Sequence, residues 1–260
     1  MELRGALVVV GGGSQGIGSG IAREAARRGA REVVLLARGP EALAATAAQI
    51  GAQATTYSVD LTDAGRVAEV CAQIRARSGV PDVVVASSAS GRFLGLAESQ
   101  PADVVEAMAS TYFAAFNLFR GFVADMRARG SGRFVVVGSP VRALPFPAVA
   151  YKASRHALHG FAEGLREDLH GTGVGVTYVE PSRIKEGSYF VRNPGVLERL
   201  PTIFRDPRFA LLWQSEAEAG RMTADAIEAD DDLASPAWLH LVTTLGAVAG
   251  DTMARLVLRW

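Results

Sequence analysis

The sequence predicts an α/β fold in which one parallel sheet is covered by helices on both faces. Short runs of aliphatic and β-branched residues alternate along the chain with longer segments of helical spacing. These runs are apolar at almost every position, which is typical of parallel strands buried on both faces. The chain has 260 residues, 49% of them hydrophobic, so it can form one large core. We therefore predict a single doubly wound domain over residues 1–260, with its ligand site at the carboxyl ends of the strands.

The predicted elements follow one another without an internal repeat or a low-complexity linker. Apolar runs predict strands at residues 6–10, 32–37, 54–59, 82–87, 133–138 and 173–179. Apolar residues three and four positions apart predict helices at residues 19–30, 40–50, 64–79, 103–130 and 151–171. Because each strand is followed by a helix, neighbouring strands are expected to run parallel.

The chain after Pro181 is poorly periodic and repeatedly interrupted by proline. Such a long excursion at the sheet edge predicts a substrate lid over about residues 183–225. Its larger apolar residues suggest a pocket cover, with ordinary core packing as the alternative; they are Tyr189, Phe190, Leu200, Ile203, Phe204, Phe209 and Trp213. The C-terminal tail is apolar and predicts a helix that docks on the domain or between subunits, with peripheral membrane contact as the alternative.

Composition argues against several classes of partner and site. The 27 basic and 27 acidic residues balance, so we expect no nucleic-acid partner. The single cysteine, Cys71, lies in a helical pattern and is expected to be buried and unreactive. No spacing of His, Cys, Asp and Glu predicts a metal site. Neither a signal peptide nor a long apolar run is evident, so we expect a cytoplasmic protein without an integral membrane segment.

A glycine-rich turn follows the first predicted strand in "VVVGGGSQGIGSGIA". Gly12, Gly16 and Gly18 stand where the strand gives way to a helix, and glycines there let a pyrophosphate approach the backbone. The helix N-terminus adds unpaired N–H groups and the positive end of a dipole. The turn predicts a dinucleotide site, which also includes Ser14, Gln15 and Ile17.

The end of the second predicted strand indicates which dinucleotide binds. Many dinucleotide enzymes place an acidic residue there to hold the ribose 2′-hydroxyl, whereas this chain has Ala37 followed by Arg38. A guanidinium can bind a 2′-phosphate through paired hydrogen bonds. We therefore favour NADP(H) over NAD(H), with a solvated loop charge as the alternative for Arg38.

These features resemble the short-chain dehydrogenase/reductase family over roughly residues 4–190. Gly12, Gly16, Ile17 and Gly18 match the family's TGxxxGIG pattern, with Gly11 at the Thr position. The resemblance implies a Rossmann-like sheet of about seven strands and assembly into homodimers or homotetramers. It also implies that Asp60 in "VDLTD" contacts the adenine, and it assigns the following residues to the cofactor site: Leu61, Ser87, Pro181 and Ile184.

The same resemblance implies a catalytic group with one prominent substitution. Tyr151 matches the Tyr of the family's YxxxK motif, which gives or takes a proton at the substrate oxygen, but Arg155 replaces the lysine. A phenol is a poor base near neutral pH unless positive charge stabilises the phenolate. Arg155 lies one helical turn from Tyr151 and supplies that charge, but a planar guanidinium does not reproduce the ribose contacts of a lysine.

Further departures cluster around the same site. Ser139 resembles the family serine that holds the substrate oxygen, although it stands twelve residues before Tyr151 instead of thirteen. Thr111 replaces the family asparagine of the proton relay, and a hydroxyl lacks the donor and acceptor geometry of an amide. The family's NNAG and PG motifs become "ASSASG" and Pro181-Ser182, and Glu186 stands where a threonine often holds the carboxamide.

Three functions fit these residues. The first is an NADP(H)-dependent oxidoreductase, of the ketoreductase or alcohol dehydrogenase type, that acts on a small, mostly apolar carbonyl or hydroxyl substrate. The second is a non-redox cyclisation, dehydration or isomerisation on the same fold, in which Tyr151 and Ser139 transfer protons. The third is a catalytically inert binding partner. The scarcity of lysine, with Lys152 and Lys185 alone, is associated with high-GC bacteria and so with specialised biosynthesis.

Overall fold

Parallel strands form the centre of the computed structural model, which describes residues 1–90, 92–140, 148–185, 198–199 and 202–241, apart from the side chains of residues 203 and 204. The strands are β1 (Leu7–Gly11), β2 (Glu32–Ala37), β3 (Ala54–Ser58), β4 (Val83–Ala86), β5 (Gly132–Val137), β6 (Val174–Val179) and β7 (Leu233–Ala234). They form one seven-stranded parallel sheet in the order β3-β2-β1-β4-β5-β6-β7. The six strands predicted from apolar runs agree with these bounds to within one residue.

Helices connect the strands and cover the sheet. They are α1 (Gly16–Arg27), α2 (Pro40–Ile50), α3 (Ala64–Ser78), α4 (Pro101–Met108), α5 (Ala114–Arg120), α6 (Val123–Arg129), α7 (Val149–Asp168), α8 (Thr202–Arg205) and α9 (Glu216–Ala229). A π-helical turn (Ala109–Phe113) joins α4 to α5, and a 3₁₀ helix (Pro207–Leu212) follows α8. In the described residues, no helix is long and apolar enough to span a bilayer.

The core consists of two apolar layers, one on each face of the sheet. Alternate residues of a strand point to opposite faces, so Val9 joins one layer and Val8 the other. The first layer contains Leu118 of α5 and Phe134 of β5, and the second contains Ile21 of α1. This arrangement confirms the predicted doubly wound α/β fold.

The helix predicted over residues 103–130 is wrong as one continuous element, because it divides into α4, the π turn, α5 and α6. The last break falls at Gly121, where an added Cβ would overlap the Sγ atom of Cys71. Cys71 is fully buried, and burial raises the pKa of its thiol to about 12. The expectation that Cys71 is buried is thereby confirmed, and a raised thiol pKa disfavours the reactive thiolate.

The predicted lid extends too far towards the C-terminus. Residues 216–225 belong to α9, which packs closely on α1 and buries Ala219, Thr223 and Ala224. The contact requires small residues, since a Cβ at Gly220 would overlap the carbonyl oxygen of Gly20. Three of the predicted cover residues, Tyr189, Phe190 and Leu200, lie outside the described residues, as do the side chains of Ile203 and Phe204 and the tail beyond residue 241.

Candidate functional site

The glycine-rich turn lies against the carboxyl end of β4. Gly12 has a φ of +77° and Gly16 a φ of +62°, conformations that favour glycine. A Cβ at Gly12 would lie 2.7 Å from the amide nitrogen of Ser88, and one at Gly18 would overlap the carbonyl oxygen of Gly12. Helix α1 begins in this turn at Gly16, so its first N–H groups are available to an anion.

A cavity of about 330 Å³ opens beside this turn, between the ends of β1, β2, β3 and β4. It is lined by Gly12, Ser14, Gln15, Ala37, Arg38, Gly39, Ala42, Val59, Asp60, Leu61, Thr62, Ser87, Ser88, Ala89, Ser90, Ser110 and Ala114. The structure thus brings together the turn, the basic residue after β2 and the acidic residue after β3. Sequence reasoning missed Ser110 and Ala114, which a helix contributes from a distant part of the chain.

Arg38 and Asp60 give this cavity its charge. Arg38 is exposed at its margin. The carboxylate of Asp60 accepts hydrogen bonds from the backbone N–H and the hydroxyl of Thr62, both at 2.9 Å. The backbone bond is the largest cause of the lowered pKa of Asp60, and the charge of Arg38 also lowers it. The Asp60 side chain is therefore a carboxylate at neutral pH.

Six predicted cofactor residues do not line the cavity, namely Gly16, Ile17, Gly18, Arg155, Pro181 and Ile184. Gly16 and Gly18 belong to the turn beside it, and Arg155 lies on α7. The side chain of Ile17 packs against the core layer that contains Ile21, so only its peptide group is left for a ligand in the turn. Pro181 and Ile184 are buried beyond the end of β6, on the other side of β5 from the cavity.

Tyr151 and Arg155 lie on the first turns of α7, and both are almost completely buried, with 9% and 5% of their surface exposed. The guanidinium carbon of Arg155 lies over the Tyr151 ring, 4.8 Å from its centroid. One terminal nitrogen, Nη1, donates to the carbonyl oxygen of Val137 at 3.1 Å. Its Nε atom is buried without a hydrogen-bond partner among the described residues. The positively charged guanidinium of Arg155 thus lies on the face of the Tyr151 ring. Its bond to Val137 anchors the guanidinium to the end of β5.

Phe93, which sequence reasoning missed, also packs on Tyr151. The ring centroids are 4.7 Å apart, and Phe93 is 1% exposed. The next residue, Leu94, accepts a hydrogen bond at 3.1 Å from the amide of Val149, the first residue of α7. A lone aromatic residue after the small-residue stretch "ASSASG" is the only sequence signal that could have indicated this contact.

Ser139 lies two residues beyond the end of β5 and is 8% exposed. Gly138 occupies the position with the usual family spacing, but a Cβ there would overlap the hydroxyl of Tyr178. A side chain at residue 138 would have to displace Tyr178, which is itself fully buried. The twelve-residue spacing between Ser139 and Tyr151 therefore has a structural reason. A serine side chain can be accommodated at position 139, whereas at position 138 it would overlap Tyr178.

Thr111 lies in the π-helical turn, which packs against α7. Its side chain is 1% exposed, and its hydroxyl oxygen has no hydrogen-bond partner within the described ranges. An unpaired buried hydroxyl is costly unless water or a ligand satisfies it. π-helical turns are frequent at functional sites.

Gln214 binds the segment that follows β6 through both its side chain and its backbone. The side-chain oxygen of Gln214 accepts from the amide of Ser182 at 2.7 Å, and the Ser182 hydroxyl donates to the carbonyl oxygen of Leu212 at 2.5 Å. A parallel bridge pairs Ile184 with Gln214 through the Lys185 N–H and the carbonyl of residue 183. In this pattern the peptide groups of Ile184 itself face away from Gln214. Glu186 lies outside the described residues.

Metal ligation finds no support in the part of the chain that the structure describes. That part contains no group of three or more His, Cys, Asp and Glu side chains that could hold an ion.

Comparison with known proteins identifies relatives of this arrangement. The family model described as short chain dehydrogenase matches residues 6–189. The 3-oxoacyl-[acyl-carrier-protein] reductase FabG of Escherichia coli is 28% identical over an alignment that covers 71% of this chain and 76% of that protein.

Solved structures agree with this match. A short-chain dehydrogenase from Streptomyces avermitilis is 25% identical, with a TM-score of 0.80 and coverage of 96% of both chains. A metagenomic short-chain oxidoreductase in complex with NADP is 28% identical, with a TM-score of 0.66 and coverage of 82% of this chain and 93% of that chain. The similarity therefore extends through both sequence and fold.

Proposed function

Because this chain belongs to the short-chain dehydrogenase/reductase family, we propose that it is an NADP(H)-dependent oxidoreductase that interconverts a carbonyl and a hydroxyl group on a small, mostly apolar molecule. The observation that carries the proposal is the position of two features at one edge of the sheet. The first is the cavity beside the glycine-rich turn, which lies at the ends of β1 to β4 and has Arg38 at its margin. The second is the buried Tyr151–Arg155 pair, which lies beside the end of β5.

The residues of the cavity fit the adenosine half of NADP(H). Gly12 and Gly18 leave space that a Cβ would fill, and the α1 N-terminus can bind the pyrophosphate. Asp60 and Leu61 would hold the adenine, and Arg38 would bind the 2′-phosphate. A relative's structure in complex with NADP supports this choice of cofactor.

When bound, NADP(H) would supply the hydride-transfer chemistry. Tyr151 would give or take the proton at the substrate oxygen, and Ser139 would donate a hydrogen bond to that oxygen. The charge of Arg155, held 4.8 Å from the ring centroid, would stabilise the phenolate. Thr111 would offer a hydroxyl where the family relay has an asparagine amide, and so would not reproduce the amide's simultaneous donor and acceptor geometry. Ser87 would contact the cofactor in the cavity, and Pro181 and Ile184 would lie along its nicotinamide half.

A second candidate function is a non-redox step in which Tyr151 and Ser139 transfer protons. One observation favours it: Nη1 of Arg155 donates to the Val137 carbonyl, so part of the hydrogen-bonding capacity of this guanidinium is already used within the protein, unlike that of the compact lysine ammonium of the family. The hydroxyl and amide of Ser182 are likewise committed to residues 212–214. The glycine turn and the buried Tyr151 both argue against an inert binding partner.

Homodimers or homotetramers are the proposed assembly. Apolar side chains of the π-helical turn and the neighbouring helices α4 and α5 support this, since Val105 is 65% exposed, Phe113 is 47% exposed and Phe116 is 40% exposed. Light scattering after size-exclusion chromatography tests it directly.

The function is tested first by the unfolding temperature in the presence of NADPH, NADP⁺ or NADH. A ligand that binds only the folded state raises stability by RT ln(1 + [L]/Kd). We expect a larger rise with NADPH than with NADH, and no rise with any of them contradicts the proposal. A panel of ketones then follows, with products separated and their masses measured. A gain of two hydrogens demonstrates reduction, whereas a new product of unchanged mass, or one lighter by a water molecule, indicates the non-redox alternative. Tyr151→Phe should abolish either reaction.

A further inference from the structure

We propose that Arg199 and Glu98 are positioning residues for Tyr151. The ion pair between them links the excursion after β6 to the β4 loop, residues 93–98, and thereby holds Phe93 against the Tyr151 ring. This inference rests on the proposed function, because it assigns a catalytic consequence to the position of Tyr151.

Arg199 binds the β4 loop at three points. Its Nη1 donates to the carbonyl oxygen of Phe93 at 3.1 Å and to Oε2 of Glu98 at 2.6 Å, and its Nη2 donates to Oε1 of Glu98 at 2.8 Å. Glu98 Oε2 also accepts from the amide of Gly95 at 3.0 Å. A two-bond Arg–carboxylate pair is directional, so these contacts fix the orientation of the loop as well as its distance from Arg199.

The β4 loop in turn contacts the catalytic helix at two points. The ring of Phe93 lies 4.7 Å from that of Tyr151 between centroids, and the Leu94 carbonyl accepts the amide of Val149, two residues before Tyr151. The residue that Arg199 binds through its backbone is therefore the residue whose side chain packs on Tyr151.

The order of the strands in the sheet shows which segments the Arg199–Glu98 pair connects. β5 lies between β4 and β6, and Ser139 follows the end of β5. Arg199, which follows β6 in the chain, therefore binds the loop after β4, two strands away in the sheet. The Ile184–Gln214 bridge is a second contact made by the chain after β6.

The exposure of the pair indicates that its role is positional. The side chains of Arg199 and Glu98 are 40% and 49% exposed, and exposed ion pairs contribute little to folding stability. Small displacements of catalytic groups, in contrast, lower the rate strongly. Removing the pair should leave the midpoint of unfolding almost unchanged and should still impair the reaction.

Hydrogen exchange measured by mass spectrometry tests the link without any substrate. In Arg199→Ala and Glu98→Gln, we expect faster exchange at the Gly95 amide and also at the Val149 amide, with NADPH absent or present. Arg208→Ala is the matched control, because Arg208 is an exposed arginine of the same excursion whose ion pair among the described residues is with the nearby Asp206. Faster exchange at Gly95 with unchanged exchange at Val149 would overturn the proposal, since the pair would then be local.

Kinetics on a ketone that the panel identifies as a substrate test the catalytic consequence. We expect kcat to fall about tenfold or more in each single variant, with an intermediate value for Arg199→Lys, which keeps the charge but loses the two-bond geometry. The double variant should be no worse than the worse single variant, because both remove one interaction. A rise in KM at unchanged kcat would show that Arg199 only covers the substrate, and would also overturn the proposal. If no ketone turns over, the proposed function fails, while the exchange experiment still decides whether the link exists.

Discussion

The guanidinium of Arg155 lies on the face of the Tyr151 ring, 4.8 Å from its centroid, and is anchored to the carbonyl oxygen of Val137. A cation on an aromatic face is stabilised by the ring quadrupole, and burial of both side chains strengthens the attraction. The substitution of the family lysine therefore preserves the charge near the phenol while changing where that charge is held. Two variants separate charge from shape.

Arg155→Met should lower kcat by about 10²-fold or more, because the phenolate loses its nearest buried cation. Arg155→Lys should lose less, because the charge remains although the bond to Val137 need not form. Initial rates measured with the same substrate for both variants check this. Equal rates for Arg155→Met and the unmodified enzyme would show that the cation has no catalytic role.

Arg38→Ala should weaken NADPH binding about 10- to 100-fold and leave NADH binding unchanged, because a hydrogen bond between charged groups contributes about 1.5–3 kcal/mol. Calorimetric titration with both dinucleotides checks the change in preference. Arg66→Ala is a suitable control, since Arg66 is exposed on α3 and pairs with Glu69. Parallel losses for NADPH and NADH would assign Arg38 to some contact other than the 2′-phosphate.

The fold and the cofactor cavity could be predicted because their signals are local. A buried parallel strand is apolar at almost every position, and the glycine turn shows its steric requirement in three glycines of one segment, Gly12, Gly16 and Gly18. The β5 to α7 spacing was harder to interpret, because the reason that residue 138 must be glycine is the buried hydroxyl of Tyr178, forty residues later.

The missed parts of the site depend on contacts between segments without periodicity. Phe93, Glu98 and Arg199 meet only because sheet order brings the segments after β4 and β6 to the same edge. Charge and aromaticity at those positions are common in solvated loops, so the sequence alone contains no signal that pairs them. The reason that residue 121 is glycine was missed in a similar way, since an added Cβ there would overlap the side chain of Cys71.

Gly18→Ala should abolish measurable NADPH binding or destabilise the turn, because the new Cβ would overlap the Gly12 carbonyl and lie 3.1 Å from the hydroxyl of Ser87. Gly160→Ala is the control, and it is expected to change the stability of the protein in the opposite direction. Gly160 is an exposed residue within α7 whose added Cβ would meet nothing within 4 Å. It should therefore raise stability by about 0.5–1 kcal/mol. Urea unfolding and NADPH titration of both variants check the pair, and normal binding in Gly18→Ala would contradict the assignment of the turn.

Glu24→Gln should destabilise the protein at neutral pH and have little effect in acid. Glu24 accepts hydrogen bonds from Arg27 at 2.7 and 2.8 Å and from Arg28 at 2.8 Å. The bonds from Arg27 are the largest cause of a pKa lowered from 4.5 to about 2, while burial acts in the opposite direction. Because the folded-state pKa lies below the unfolded value, the carboxylate stabilises the fold above about pH 4.5, and this contribution is lost as pH falls towards about 2.

The ion pairs of Glu24 with Arg27 and Arg28 are partly exposed, so solvent screens them. Allowing for that screening, they contribute about 1–3 kcal/mol to the free energy of unfolding at neutral pH. Urea unfolding of both proteins at several pH values between about 2 and 7 checks the effect. The difference in unfolding free energy should shrink steadily through that window. A difference that stays constant with pH would mean that Glu24→Gln acts by altered packing between α1 and α9, and that the ion pairs of Glu24 do not control acid stability.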